Sequence, residues 1–264
     1  MTANLHEEIE KQQRFPWTRS VHYRNYNSFL AAFQIQEVLK HARGESLLDL
    51  ACGDGTLTEM LAPHFGRVVG VDASAGQIKL ARERLPKVTF CQSLLEELDL
   101  AEKFDVITML LVLEHVIDPV SALRGAARNL HPNGQLFVHV PNANAINRKI
   151  AVHMGTLKTC EELSPFDINV AGHRRSYTLQ TLQTDFALAG LKVVATGGVF
   201  FKMLSTPQMD WLLKNGPWEE GGFGWGRVGA EPKDWRSEFC RACYEIGLER
   251  PEDCNVIYAV GSLQ

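Results

Sequence analysis

Five short runs of apolar, β-branched residues recur in the first half of the chain. They are SLLDLA (46–51), RVVGVD (67–72), VTFC (88–91), FDVITMLLVL (104–113) and GQLFVHV (134–140). Each is apolar almost without alternation, as strands buried on both faces of a parallel sheet are. Stretches of helical period separate them: TLTEMLAPH, SAGQIKLARERL and DPVSALRGAARNL. Ser74 is an N-cap type for the second, and Pro86 follows its end. Asp118 and Pro119 are N-cap and N1 types for the third, which HPNG closes as a turn. The alternation predicts a doubly wound α/β sheet with right-handed crossovers.

The flanks extend this pattern. SFLAAFQIQEVLKHA (28–42) has helical spacing ahead of the first strand. Residues 141–177 read as a polar, irregular insertion with a helix from Ala145 to Met154. TLQTLQTDFALAG (178–190) reads as a helix ended by Gly190. LKVVATGG (191–198) and NVIYAVG (255–261) complete the sheet. The long segment between them (199–253) carries Trp211, Trp218, Trp225 and Trp235. A connection of that length is usually functional or an assembly element.

Composition narrows the classes. A chain of 264 residues can bury a full core, and 45% hydrophobic with 22% charged residues suits a soluble globular protein. A formal net charge of −4 argues against a nucleic-acid partner. No apolar run approaches the roughly 18 residues of a membrane span, and the polar MTANLHEEIEKQQRF does not read as a secretory signal. Six scattered cysteines suggest free thiols in a reducing cytoplasm. The CRAC spacing at Cys240 to Cys243 has no second pair and no histidine at zinc spacing, so no metal site is expected.

The chemistry concentrates in LLDLACGDGTLTEML (47–61), where an apolar strand runs into a glycine turn. Glycine there lets a ligand approach the backbone at the sheet's carboxyl edge. A dinucleotide fingerprint would need a third glycine after Gly53 and Gly55, and Asp54 would crowd a pyrophosphate. A P-loop would need a lysine that is absent. Asp49 lies in the strand before the turn, where it can organise the loop or reach a bound ammonium through water. Asp72 closes the second strand, where a carboxylate can accept both ribose hydroxyls. These features suit a nucleoside carrying positive charge.

At these residues the chain resembles the class I S-adenosylmethionine-dependent methyltransferases, in their small-molecule branch. LLDLACGDGTLTEML is similar to the family's glycine motif, and VVGVDASAGQIKLARER to its ribose-binding strand end. FDVITMLLVLEHVIDPVSAL and NLHPNGQLFVHVPN are similar to its fourth and fifth strands. The resemblance implies a single domain on a seven-stranded Rossmann-like sheet, mostly parallel, with the last strand antiparallel. Residues 1–45 would cap it, 46–140 would hold the cofactor, and insertions 141–177 and 199–253 would cover an acceptor or an interface. Ala51, Gly53 and Gly55 would cradle the methionine part above Asp49. Asp72 would hold the ribose with Ala73 and Gln77 nearby, and Gln92 and Ser93 would read the adenine. Met109 and Leu110 would line the cofactor. Cys52 reads as a small residue fitting the turn, with no basic neighbour to activate it.

Methyl transfer to a hydroxyl needs a base, and an amine must arrive neutral. Histidine titrates in the right range. His115 follows Glu114 just past the fourth strand and is either that base or a packing residue beneath the loop. His139 lies inside an apolar strand and reads as a core residue, while His153 is undecided. In GHRRSYT (172–178), His173 is a second catalytic candidate, and Arg174 and Arg175 either receive an anion or serve structure. The resemblance implies that HYRNYNSF folds over the cofactor or acceptor, where Tyr23 and Tyr26 would touch substrate. The function expected is methylation of an oxygen or nitrogen on a small metabolite with an anionic handle, in the cytoplasm, with a homodimer in view. Methylation of RNA or protein, or a non-catalytic cofactor-binding assembly role, are the alternatives.

Overall fold

The computed structural model describes residues 2–14, 26–216 and 235–264. Trp218, Trp225 and Tyr23 lie outside them. The sheet has seven strands in the order β3-β2-β1-β4-β5-β7-β6. They are β1 (Ser46–Leu50), β2 (Arg67–Asp72), β3 (Thr89–Gln92), β4 (Phe104–Leu110), β5 (Leu130–Pro141), β6 (Leu191–Phe201) and β7 (Cys254–Leu263). β1 to β5 pair in parallel, and β7 runs antiparallel between β5 and β6.

The helices are α1 (Thr2–Arg14), α2 (Tyr26–His41), α3 (Thr56–Leu61), α4 (Ala75–Arg84), α5 (Pro119–Arg128), α6 (Ile146–His153), α7 (Leu179–Leu188), α8 (Thr206–Asn215) and α9 (Trp235–Glu249). Their ends follow local chemistry. The Ser74 hydroxyl accepts the Gln77 amide, and the Asp118 carboxylate accepts the Val120 and Ser121 amides. Thr178 forms a reciprocal capping box with Thr181 at the start of α7.

Successive strand residues feed opposite cores. Leu48, Ile107 and Val138 pack with Ala122 and Leu123 of α5 and with Leu182 and Phe186 of α7. Leu47, Val106 and Phe137 pack with Leu30 and Ile35 of α2, Met209 of α8 and Tyr244 of α9. That two-sided burial is why the strands read as unbroken apolar runs.

Several boundaries differ from the sequence pattern. β4 stops at Leu110, not at Leu113, because Leu111 takes φ 58° and turns the chain. HPNG is not a separating turn but a bulge within β5, whose pairing with β4 jumps from Leu130 to Gln135. β6 continues past Gly198 to Phe201, with Phe200 at φ 71°. His139 is fully buried, stacked on Tyr258 at 5.0 Å, and burial pushes it down to about 3, so it stays neutral.

Candidate functional site

Strands β1 and β4 are neighbours whose onward connections run to opposite halves of the sheet. The crevice at their carboxyl ends is the topological switch point. The backbone beside it is strained on both sides: Ala51 after β1 and Leu111 after β4 hold φ 57° and 58°. Such non-glycine conformations cost on the order of 1–3 kcal/mol each and collect at binding sites.

Buried Asp49 organises the loop. Its two oxygens accept the Thr58 hydroxyl of α3 at 2.6 Å and the Thr108 hydroxyl of β4 at 2.8 Å. Asp72 accepts the Gly53 amide at 2.9 Å and the Ser74 amide at 2.8 Å, fixing the glycine turn to the end of β2. Gly55 holds φ 80° and begins α3 without lining the crevice. Asp54 does not crowd a ligand, as the sequence suggested. Its carboxylate caps Thr56 and pairs with Arg84 at 3.0 Å. Cys52 packs among Ile78, Ala81 and Phe90, where it fills the turn.

Two cavities meet at this edge. The smaller, about 60 Å³, is lined by Ala51, Gly53, Asp72, Ala73, Gln77 and Ser93, by apolar Leu94, Leu95 and Val112, and by Glu8 and Gln12 of α1. It has carboxylates at Glu8, Asp72 and Glu96, and no lysine or arginine among its lining residues. The larger, about 660 Å³, runs between α2, α6, the 155–176 segment and the start of α8. Leu111 and His115 line both.

Some expected contacts fall elsewhere. The Gln92 amide folds back onto the Ala73 carbonyl at 3.1 Å and does not line the crevice. Met109 is fully buried in the core beneath it. Leu110 faces the larger cavity, as Tyr26 does. Arg175 donates to the carbonyls of Leu113 (3.0 Å), Val116 (2.6 Å) and Ile117 (3.0 Å). Arg174 donates to the His115 carbonyl at 2.9 Å and pairs with Glu8. Neither arginine lines either of these two cavities; their hydrogen bonds clamp the loop after β4, and the Arg174–Glu8 pair ties α1 to it. His153 is exposed at the end of α6.

The clamp aims two histidines. His115 Nδ1 lies 3.2 Å from the Gly172 carbonyl, and its Nε2 lies 3.7 Å from the buried Glu114 carboxylate. A hydrogen bond to Gly172 puts the proton on Nδ1 and makes Nε2 the basic nitrogen of the ring. His173 packs edge-on to His115, with centroids 5.1 Å apart. Burial lowers its pKa, and Asp167 at 3.7 Å opposes that. Glu114, His115 and His173 also bring one donor atom each within 4.8 Å of one another, a set that a divalent ion can use.

The sequence reading missed Lys202 altogether. It follows β6, is buried, and lines the larger cavity. Burial pushes its amine down to about 7.

A family model described as "Methyltransferase domain" matches residues 22–196, well over half of the chain. The chain belongs to that family. The methyltransferase is 38% identical over 109 residues to a ubiquinone biosynthesis O-methyltransferase of Marinobacter nauticus, covering 38% of this chain and 46% of that protein. It is 32% identical over 126 residues to one of Vibrio vulnificus, covering 46% and 52%. The chain thus spans about half the length of the curated relatives it matches. A Thermotoga maritima structure, described as an S-adenosylmethionine-dependent and possible histamine N-methyltransferase, aligns with TM-score 0.62 at 16% identity. That alignment covers 97% of this chain and all of the other, and it shows the fold. The smaller cavity's acidic and apolar walls, at the end of β2, favour a cationic nucleoside and would repel a phosphate. No helix among the described residues is long and apolar enough to cross a membrane.

Proposed function

We propose that the protein methylates an oxygen or nitrogen of a small molecule held in the larger cavity. The observation that carries this reading is the position of His115, which lines the cofactor cavity and the larger cavity at once. Bound S-adenosylmethionine would supply a methyl group on a sulfonium, whose sulfur would leave as a neutral thioether. Asp72 and the Ala51–Gly53 backbone hold the nucleoside. His115 Nε2 takes the acceptor's proton, and the Glu114 carboxylate beside it steadies the imidazolium. The Gly172 carbonyl fixes the tautomer, and Arg174 and Arg175 hold the loop that aims the ring.

Ligand pockets commonly span about 300–1,000 Å³. The larger cavity is in that range and the smaller falls short of it, so this reading requires the wall of the smaller cavity to open for the cofactor. A second reading has His115, Glu114 and His173 bind a divalent ion that polarises an acceptor hydroxyl, supported by their converging donors.

For partners and setting, the acidic balance favours a small acceptor over nucleic acid. Six free cysteines support the cytoplasm, and exposed Met203, Leu204 and Trp211 support a homodimer. A screen of small hydroxyl and amine acceptors with methyl-labelled cofactor tests the reading. Label on a small acceptor is expected; label confined to RNA or protein would overturn it.

A further inference from the structure

The larger cavity contains a cation that no carboxylate among the described residues pairs with. Lys202 is 3% exposed. Its amine donates to the Thr206 hydroxyl at 2.9 Å and sits 4.4 Å from the centre of the Tyr26 ring. Among the described residues it forms no ion pair. Two carboxylates attract it from farther away, Asp210 on α8 and Asp167 in the segment before His173. Both are committed elsewhere. Asp210 accepts the Tyr26 amide at 3.0 Å, and Asp167 accepts Ser164 at 2.8 Å and pairs with Arg148 at 3.1 Å. Tyr26, from α2, presents a neutral ring.

A buried, unpaired ammonium is costly, and a methionine would fill much the same space. A hydroxyl and a ring face attract a cation without cancelling its charge. The remaining approach is from the cavity. We propose that Lys202 receives an anionic oxygen of the acceptor, so that the substrate is a small organic acid presenting a carboxylate to this end of the cavity. The inference rests on reading that cavity as the acceptor site, and it names the acceptor's class. It also gives specificity: a neutral analogue leaves the ammonium desolvated and unpaired, while a carboxylate neutralises it.

Burial holds the amine near half-protonation at about pH 7, so binding of an anion must follow that proton. Benzoate is ionised at both pH 6 and pH 8 and serves as the probe, with benzamide as its neutral match. Ligand-observed NMR titration of the wild-type protein should give benzoate an affinity about tenfold higher at pH 6 than at pH 8, with benzamide weaker and indifferent to pH. Lys202→Met should abolish the preference for benzoate. The pH comparison needs no variant, so it decides the matter even if the substitution fails to fold. Equal binding of the two probes, or an affinity for benzoate flat between pH 6 and pH 8, would overturn the proposal. S-adenosylhomocysteine is titrated into the same samples. Its binding without any benzoate preference sinks the Lys202 assignment alone; the converse pattern sinks the methyl-transfer reading alone.

Discussion

Replacing His115 with glutamine lowers kcat by about 10²–10⁴-fold for an acceptor found in the labelled-methyl screen. Affinity for S-adenosylhomocysteine stays within about threefold, a change below 1 kcal/mol. The reason is geometric. Glutamine keeps a polar side chain near the Gly172 carbonyl but has no basic nitrogen to take a proton at the Nε2 position, 3.7 Å from Glu114. The His115 backbone amide, which donates to Val112 at 2.9 Å, is untouched, so the loop between the cavities keeps its course. A chelator separates the two readings of the same histidine. If His115 is the base, EDTA leaves the wild-type rate unchanged. If it is a ligand with Glu114 and His173, EDTA abolishes the rate and a divalent ion restores it. A glutamine variant with the wild-type rate contradicts both.

Lys202→Met makes the protein more stable at pH 6, by on the order of 3 kcal/mol in denaturant unfolding. The folded amine loses its proton at about 7, while the unfolded one keeps it to about 10.5. Below pH 7 both states are protonated, and the folded state bears the full cost of a buried charge. Between pH 7 and 10.5 the folded lysine is neutral and the unfolded lysine is not, so wild-type stability rises with pH across that window. The advantage of methionine therefore shrinks as pH rises, by roughly 2–3 kcal/mol between pH 7 and pH 9. A difference between the two proteins that does not change with pH would show that Lys202 is charged, or neutral, throughout. A stabilising substitution in a cavity wall is what a residue kept for binding gives.

The sheet was legible because its strands are buried on both faces. Runs such as SLLDLA and VVGVD could hardly be anything else in a chain with caps at Ser74 and Asp118. Strand ends were less legible. Leu111 and Phe200 turn the chain in left-handed conformations that sequence assigns to glycine, so β4 looked longer and β6 shorter than they are. Of the residues expected on the cofactor side, Ala51, Gly53 and Asp72 line the smaller cavity. Where a side chain's direction mattered, the sequence carried less. Gln92 and Met109 sit at strand ends facing the crevice, but one folds back and the other points into the core.

The acceptor side was nearly opaque. Arg174 and Arg175 looked like an anion receptor because two adjacent guanidiniums stand out in a sequence. The carbonyls of Leu113, Val116 and Ile117, 58 to 62 residues earlier in the chain, had already claimed one of them. Lys202 follows an apolar strand and nothing in the local sequence marks it; Tyr26, far away in the chain, and Thr206 pack against its amine. Glu8 and Gln12 carried a faint signal. They lie four apart on one helix face, and the Gln12 amide donates to Glu8 at 2.7 Å, but nothing local says that this face covers a crevice.

The central claim is that the crevice at the ends of β1 and β2 holds a sulfur-bearing nucleoside through Asp72. Calorimetric titration of the wild-type protein with S-adenosylhomocysteine tests it most directly, with Asp72→Ala as the companion. One-to-one binding, weakened about tenfold or more in the folded variant, is the predicted result. No binding to the wild type at millimolar ligand, or equal binding to both proteins, would contradict it.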